Sequence, residues 1–148
     1  MKPIPVTAKF AIAPKPKLED FQEFTRQGFT TVVNNRPDGE DPTQLGSAAE
    51  AEAASAAGLG YVHIPVTVTG MTEQDARLLK ETVEQAPGPV VAHCRSGVRS
   101  FYLRVLSGDL DSHTDAEALA KATELGVEAN AARTWLAVHR NSSGGDRK

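Results

Sequence analysis

Apolar and polar residues follow two kinds of pattern along the chain, and together they predict strands separated by helices. Short runs rich in valine, isoleucine and aromatic residues are typical of buried strands. We expect four of them, at 7–12, 29–33, 61–66 and 90–93. Elsewhere apolar residues recur every three to four positions, as in amphipathic helices. The alternation predicts a three-layer α/β domain, with helices on both sides of a mostly parallel four-stranded sheet.

The helices carry recognisable end signals. Thr72 is followed three residues later by Asp75, an acidic form of the N-terminal capping pattern, and Pro87 ends the helical periodicity that starts there. The segment 43–57 is rich in alanine and glutamate, so we predict a helix with a solvated acidic face.

Length and composition fit one domain. The chain has 148 residues, 40% of them hydrophobic and 24% charged, which is typical of a globular protein. We expect a single domain over residues 1–140, with its last helices at 115–125 and 129–139, and a flexible tail at 141–148. A net charge of −3 argues against nucleic acid or an anionic membrane as partner, and no apolar run is long enough to span a bilayer.

Two polar loops follow predicted strands, at 34–42 and 94–99. Ligands of α/β sheets bind beyond the carboxyl ends of parallel strands, so we expect both loops on the same rim of the sheet. The second loop begins with Cys94, the only cysteine of the chain. A lone thiol cannot form an internal disulfide, and the four scattered histidines include no close pair, so we expect neither a metal site nor a cofactor.

The loop that starts at Cys94 has the composition of an anion-binding cradle. Backbone N–H groups between a strand end and a helix start can face one point, where the helix dipole adds positive charge. Gly97 permits the tight turn, and Arg99 offers a planar pair of donors for an oxyanion. These features favour a nucleophilic thiolate at Cys94, although a free cysteine is also common as buried filler. Arg95, on the outside of the loop, is expected to attract anions.

The segment 93–100 resembles the active-site loop of cysteine-dependent phosphatases and rhodaneses. With 28–40 and 61–66, it makes the chain resemble the small bacterial family called beta-lactamase hydrolase-like protein, phosphatase-like domain, over most of residues 8–136. The resemblance implies a cysteine-phosphatase-like fold, and some members act as sulfurtransferases in persulfide and sulfide oxidation. It also implies that His93 orients the loop and that the Ser100 hydroxyl hydrogen-bonds the cysteine sulfur.

Two features of the sequence bear on the chemistry. Four residues separate Cys94 from Arg99, whereas tyrosine and dual-specificity phosphatases have five, and the shorter spacing matches rhodaneses. A phosphatase also needs an acid for the leaving group, but 65–70 contains none, which leaves Asp38 in a Pro-Asp-Gly turn. Arg36 could pair with Asp38 or Glu40, or bind substrate.

Both features favour a rhodanese-type sulfurtransferase that moves a sulfane sulfur from thiosulfate or a low-molecular-weight persulfide, through a Cys94 persulfide, to a thiol or cyanide. The expected catalytic residues are Cys94, Arg99 and Asp38. Six residues are expected to bind substrate or anion: Arg95, Ser96, Gly97, Val98, Ser100 and Arg36. Two alternatives remain open: a phosphatase with a phosphocysteine intermediate, and a noncatalytic module that binds an anion or a persulfide.

The resemblance also implies a partner, because such domains are similar to partners of persulfide dioxygenases. We expect such a partner to bind in trans. Since a lone cysteine has no internal resolving thiol, a reducing cytoplasm is the expected location.

Overall fold

The computed structural model describes residues 1–107, together with Ala120, Thr123, Glu124 and Arg133. Those four residues are helical, in agreement with the helices predicted at 115–125 and 129–139. The rest of those two segments and the predicted tail lie outside the described residues. The single domain of residues 1–140 therefore stays a prediction.

In the described part of the chain, a mixed five-stranded sheet forms the middle layer. Its strands are β1 (Ile4–Thr7), β2 (Phe10–Ala13), β3 (Thr31–Asn34), β4 (Gly60–His63) and β5 (Val90–His93). The order is β1-β2-β5-β3-β4, in which β2, β5, β3 and β4 are parallel and β1 is antiparallel to β2. The predicted α/β architecture and its four-stranded parallel part are confirmed.

The additional strand arises where one strand was predicted at 7–12. The chain instead turns back after Thr7, which pairs with Phe10, and the Lys9 N–H donates to the Thr7 hydroxyl at 3.3 Å. Two short apolar runs flank this turn, so each becomes a strand of a hairpin. The single-strand prediction was therefore wrong.

Within residues 1–107, four helices cover the two faces of the sheet. They are α1 (Leu18–Arg26), α2 (Ser47–Ala56), α3 (Glu73–Gln85) and α4 (Val98–Leu106). One face packs against α1 and α2 around Phe21 and Phe24, and the other packs against α3 and α4 around Leu79, Phe101 and Leu103. The three predicted layers are thus present.

The helix starts agree with the sequence in one case and differ in another. The predicted capping pair of α3 forms: the Thr72 hydroxyl accepts from the Asp75 N–H, and the Asp75 carboxylate accepts from the Thr72 N–H, both at 3.1 Å. The helix predicted from residue 43 starts at Ser47, because Gly46 before it has a positive φ of 85° that ends the preceding loop.

The carboxyl ends of the four parallel strands meet on one rim. Ala13, His93, Asn34 and His63 lie side by side in register. The loops that follow β3 and β5 therefore open together, as expected, and the Asn35 N–H donates to the His93 carbonyl at 2.8 Å. Within the part of the chain described here, no helix is long and apolar enough to cross a membrane.

Candidate active site

Cys94 lies at the base of a tight loop that closes between β5 and α4. Its side chain is buried, and its Sγ accepts a hydrogen bond from the Gly97 N–H at 3.1 Å. Gly97 has a φ of 97°, a left-handed conformation that side chains rarely allow, so the loop closes in four residues. Helix α4 begins at the next residue, Val98, and its first N–H groups lack intrahelical acceptors. The sulfur therefore lies against the positive end of a helix.

Arg99 lies in the first turn of α4 and is held by an acid from the opposite loop. Its Nη1 donates to Glu40 Oε2 at 2.6 Å and to the Val66 carbonyl at 3.1 Å, and its Nη2 donates to Glu40 Oε1 at 2.8 Å. The Glu40 hydrogen bonds are the main cause that raises the pKa of Arg99, and the charge of Cys94 acts in the same direction. Arg99 lies two residues after Gly97, whose N–H binds the Cys94 sulfur, so both residues lie at the start of α4.

Glu40 links two arginines at the rim. It also accepts from Arg36 Nε at 2.9 Å, so one carboxylate holds both guanidinium groups. Hydrogen bonds from Arg99, then those from Arg36, lower the pKa of Glu40 from 4.5 to about 2. The sequence offered Glu40 only as one possible partner of Arg36. Its contact with Arg99, 59 positions away, had no signal in the sequence.

Arg36 is buried, and its side chain pairs with acids of its own loop. It pairs with Glu40, and its Nη2 lies 3.5 Å from Asp41 Oδ2, whereas Asp38 is not a partner. Its carbonyl also binds the His63 ring at 2.8 Å. Arg36 is therefore bound to its own loop, and its predicted contact with substrate remains untested.

Ser100 supports the loop in a different way from the one predicted. Its hydroxyl donates to Asn35 Oδ1 at 2.8 Å, and no hydrogen bond joins it to Cys94 in the described part of the chain. Asn35 is fully buried, and its Nδ2 donates to the Ile64 carbonyl at 2.9 Å. Ser100 thus connects α4 to the ends of β3 and β4. The predicted bond to the sulfur was wrong, because Asn35 takes the hydroxyl proton.

His93 faces α2 and forms a buried pair with Glu50. The His93 Nε2 and Glu50 Oε1 are 2.6 Å apart, and Glu50 is only 5% exposed. The Tyr61 hydroxyl donates to the same oxygen at 3.4 Å and accepts from Asn34 at 3.0 Å. Burial, with the Glu50 charge as the next cause, raises the pKa of Tyr61 well above its usual range.

The Glu50 contact corrects the interpretation of 43–57 as a helix whose acids are all solvated. Glu50 and Ala54 are spaced as i and i+4, so they share the buried face of α2, and the buried C-cap residue Ala57 follows that helix. Because alanines lie on every side of this helix, its sequence alone does not distinguish that face. On its other side His93 Nδ1 lies 3.4 Å from the Cys94 carbonyl, so His93 is placed for its predicted orienting role.

Asp38 has a structural partner at the start of α2. Its Oδ1 accepts from the Ser47 N–H at 2.7 Å and its Oδ2 accepts from the Ser47 hydroxyl at 2.5 Å. These two hydrogen bonds lower the pKa of Asp38. A general acid must carry a proton before it can donate one, so this geometry gives no support to the predicted catalytic role.

The remaining predicted residues surround the loop. Arg95 and Ser96 are exposed, and the Arg95 carbonyl accepts from the Lys15 N–H at 3.1 Å. Gly97 is buried and Val98 half-buried. Among the described residues, no three histidine, cysteine or acidic side chains come close enough to hold a metal.

The chain is similar to known proteins over most of its length. Residues 4–111 match the family described as beta-lactamase hydrolase-like protein, phosphatase-like domain. Beta-lactamase hydrolase-like proteins of Agrobacterium fabrum and Xylella fastidiosa are 40% and 37% identical over 139 residues, which cover 92% of this chain and 32% of each relative. The chain therefore spans about a third of the length of these curated relatives.

Solved structures give the same fold. A candidate phosphatase from Neisseria meningitidis has a TM-score of 0.81 and 27% identity, covering 90% of this chain and 95% of its own. A second candidate phosphatase, from Shewanella putrefaciens, has a TM-score of 0.71 and 18% identity over 94% and 87%. The core catalytic domain of the PP-IP phosphatase SIW14 from S. cerevisiae has a TM-score of 0.64 and 14% identity over 82% and 74%.

These findings overturn the predicted sulfurtransferase. The matching family is described as phosphatase-like, and the 27% identical structure is a candidate phosphatase. The prediction relied on the four residues between Cys94 and Arg99 as a measure of the chemistry of the loop. That measure fails because the left-handed Gly97 closes the turn and α4 supplies the next N–H groups.

Proposed function

Because the chain belongs to the phosphatase-like domain family of beta-lactamase hydrolase-like proteins, we propose that it is a cysteine-dependent phosphatase acting on phosphomonoesters. The observation that carries the proposal is the position of Cys94 Sγ, 3.1 Å from the Gly97 nitrogen at the start of α4 and beside Arg99. A nucleophile, a backbone donor and a guanidinium thus lie together at the start of α4, and transfer of a phosphoryl group requires these three kinds of group.

In the first step the Cys94 thiolate attacks phosphorus, and the bond from phosphorus to the leaving oxygen breaks. The phosphoryl group becomes bound to sulfur as phosphocysteine. Its three other oxygens carry the developing charge, which the N–H groups of the loop and the Arg99 guanidinium stabilise. Glu40 and the Val66 carbonyl fix the position of Arg99, so little reorientation accompanies the reaction.

In the second step water attacks the phosphocysteine, which releases inorganic phosphate and regenerates the thiolate. The buried position of Cys94 restricts the access of water to its sulfur. The hydrogen bond from Gly97 stabilises the thiolate as a leaving group, since an ionised acceptor strengthens such a bond.

The leaving group also needs a proton unless it is already a stable anion. Asp38 accepts two hydrogen bonds from Ser47, and Glu40 accepts from two arginines, so both carboxyls have lowered pKa values and are ionised near neutral pH. We therefore expect the enzyme to favour esters with acidic leaving groups, such as aryl phosphates, over alkyl phosphates.

The test is hydrolysis of p-nitrophenyl phosphate by the purified chain, with Cys94→Ser and Arg99→Lys as variants. We expect turnover in the wild type, no turnover in Cys94→Ser, and a loss of about 100-fold or more in Arg99→Lys, because lysine cannot offer two donors in one plane. Rapid acid quenching followed by mass spectrometry should find one phosphoryl group on Cys94.

Two outcomes would contradict the proposal. The first is unchanged hydrolysis in Cys94→Ser, which would place the reaction elsewhere. The second is the absence of turnover with any aryl phosphate while inorganic phosphate still binds, which would favour a noncatalytic anion-binding module.

A further inference from the structure

A cavity of about 390 Å³ opens beside the cysteine loop, on the face of the sheet covered by α1 and α2. The start of α1 and the loop before α2 form its walls, and His93 and Glu50 also line it. None of the steps described for Cys94 uses this space. Its volume would hold a group the size of a phosphate with several further atoms.

Residues 94–99 do not line the cavity, but two of its lining residues are joined to the cysteine loop. His93, which lines it, is the residue before Cys94, and consecutive Cα atoms lie about 3.8 Å apart. Lys15, on its wall, donates its backbone N–H to the Arg95 carbonyl in the cysteine loop at 3.1 Å. The cavity and the cysteine loop are therefore neighbours on the same rim of the sheet.

Three cationic side chains line this space: Lys15, Lys17 and Arg36. The two lysines form no salt bridge with any residue that the structure describes. The lining also contains two carboxylates. One of them, Glu50, is already bound to His93, and the other, Glu19, is exposed.

Arg36 gives an independent indication of a ligand. Its side chain is only 5% exposed, with Nε bound to Glu40 and Nη2 close to Asp41. Its Nη1 makes no hydrogen bond within the described part of the chain, yet this atom is not sealed from solvent. A buried guanidinium with one open donor in a cavity wall is suited to an oxyanion.

We propose that this cavity binds a second anionic group, a phosphate or a carboxylate, on the molecule whose phosphoryl group Cys94 removes. The inference rests on the proposed phosphatase activity and narrows its substrates to phosphoesters that carry a further anion. Lys15 and Lys17 bind the second anion at the mouth, and Arg36 Nη1 binds it inside.

The test uses competitive inhibition of p-nitrophenyl phosphate hydrolysis by alkane bisphosphonates of increasing length. An alkyl monophosphonate of equal length is the control for each. In the wild type we expect the bisphosphonate of one chain length to inhibit at least about 10-fold more tightly than the monophosphonate of equal length. Once its first phosphonate is bound at Cys94, binding of the second phosphonate in the cavity becomes intramolecular. Lys15→Ala/Lys17→Ala should reduce this gain to less than about 2-fold, with inhibition by the monophosphonate unchanged.

A matched variant, Lys2→Ala/Lys80→Ala, removes the same charge from exposed positions that do not line the cavity, and it should keep the full gain. Bisphosphonates that bind no better than monophosphonates at every length would overturn the proposal, as would a gain that survives in the cavity variant. Failure of the phosphatase proposal is distinguishable, because the wild type would then not hydrolyse p-nitrophenyl phosphate. Calorimetric titration with the bisphosphonates would still test the cavity in that case.

Discussion

The two faces of the sheet differ in how polar they are near the rim. The face under α3 and α4 is a continuous apolar cluster that includes Ile12, Leu79 and Leu103, each fully buried. The face under α1 and α2 is apolar only at some distance from the rim, where Phe21 and Phe24 meet edge to face with centroids 5.9 Å apart.

The difference begins with the last residue of each central strand. Side chains alternate between faces, so the valines of β3 and β5 divide between the two clusters, and the final positions, Asn34 and His93, turn toward α2. There they bind Tyr61 and Glu50 instead of packing against aliphatic groups. The apolar face supplies stability to the sheet, while the polar end of the other face supports the loop that carries Cys94.

The largest expected effect falls on the apolar face. Leu79→Ala should lower the free energy of unfolding by about 2–5 kcal/mol, because a fully buried leucine leaves a cavity. Urea unfolding followed by circular dichroism measures this loss. Activity per folded molecule should stay within a factor of about 2, since the hydrogen bonds described for Cys94 and for the Arg99 side chain involve no residue of α3. A fall in activity with unchanged stability would reverse the assignment of the two faces.

A substitution on the polar face should affect both stability and activity. Glu50→Ala leaves the buried His93 without its partner, so we expect unfolding to be easier by about 1–3 kcal/mol and phosphatase activity to fall about 10-fold. Glu50→Gln keeps an oxygen acceptor and should recover much of the stability. Steady-state kinetics and thermal unfolding separate the two effects. Normal activity in Glu50→Ala would show that His93 needs no support.

Glu40→Gln tests the contact between the two rim loops. The uncharged glutamine binds the Arg99 guanidinium less strongly than Glu40 does. We therefore expect kcat/KM to fall by about 10-fold, while the unfolding free energy falls by only about 0.5–1 kcal/mol. Because folding lowers the pKa of Glu40 from 4.5 to about 2, its stabilisation is complete above about 4.5 and disappears as the pH falls toward 2.

The difference in stability between the wild type and Glu40→Gln should therefore shrink as the pH falls through that window. Chemical unfolding at several pH values measures it. A difference that stays constant from neutral pH down to about 2 would mean that the carboxylate charge is not what holds Arg99.

The smallest effect is expected at Asp38. Asp38→Ala removes acceptors from the start of α2 and should cost about 0.5–1 kcal/mol of stability, with kcat changed less than about 2-fold. Asp38→Asn keeps one acceptor for the Ser47 N–H and should be milder. A loss of 100-fold or more in kcat for both variants, confined to substrates with poor leaving groups, would identify Asp38 as the general acid after all.

Local chemistry explains which parts of this structure could be predicted from the sequence. The capping pair of Thr72 and Asp75 and the turn at Gly97 each depend on a few neighbouring residues, so their patterns are visible in the sequence. The shared rim of the two loops followed from a general rule of parallel sheets. The cysteine loop could likewise be located, because its strand, glycine and arginine are contiguous.

Contacts between distant residues could not be predicted in the same way. Glu50 and His93 lie 43 positions apart, and Asn35 and Ser100 lie 65 apart. Whether Glu50 faces solvent or His93 depends on how α2 docks onto the sheet, which its own composition does not determine. Loop length misled the choice of chemistry for a related reason, since the space around Cys94 depends on backbone conformation and on α4.

The position of β5 also sets the order in which this site can assemble. Within the described residues, β1 and β2 form one hydrogen-bonded group and β3 and β4 form another, and only β5 joins them. Because β5 is the last of these strands in the chain, the sheet stays in two separate halves until residues 90–93 have been synthesised and inserted. Cys94 follows immediately, so the step that completes the sheet is also the one that brings the nucleophile to its rim.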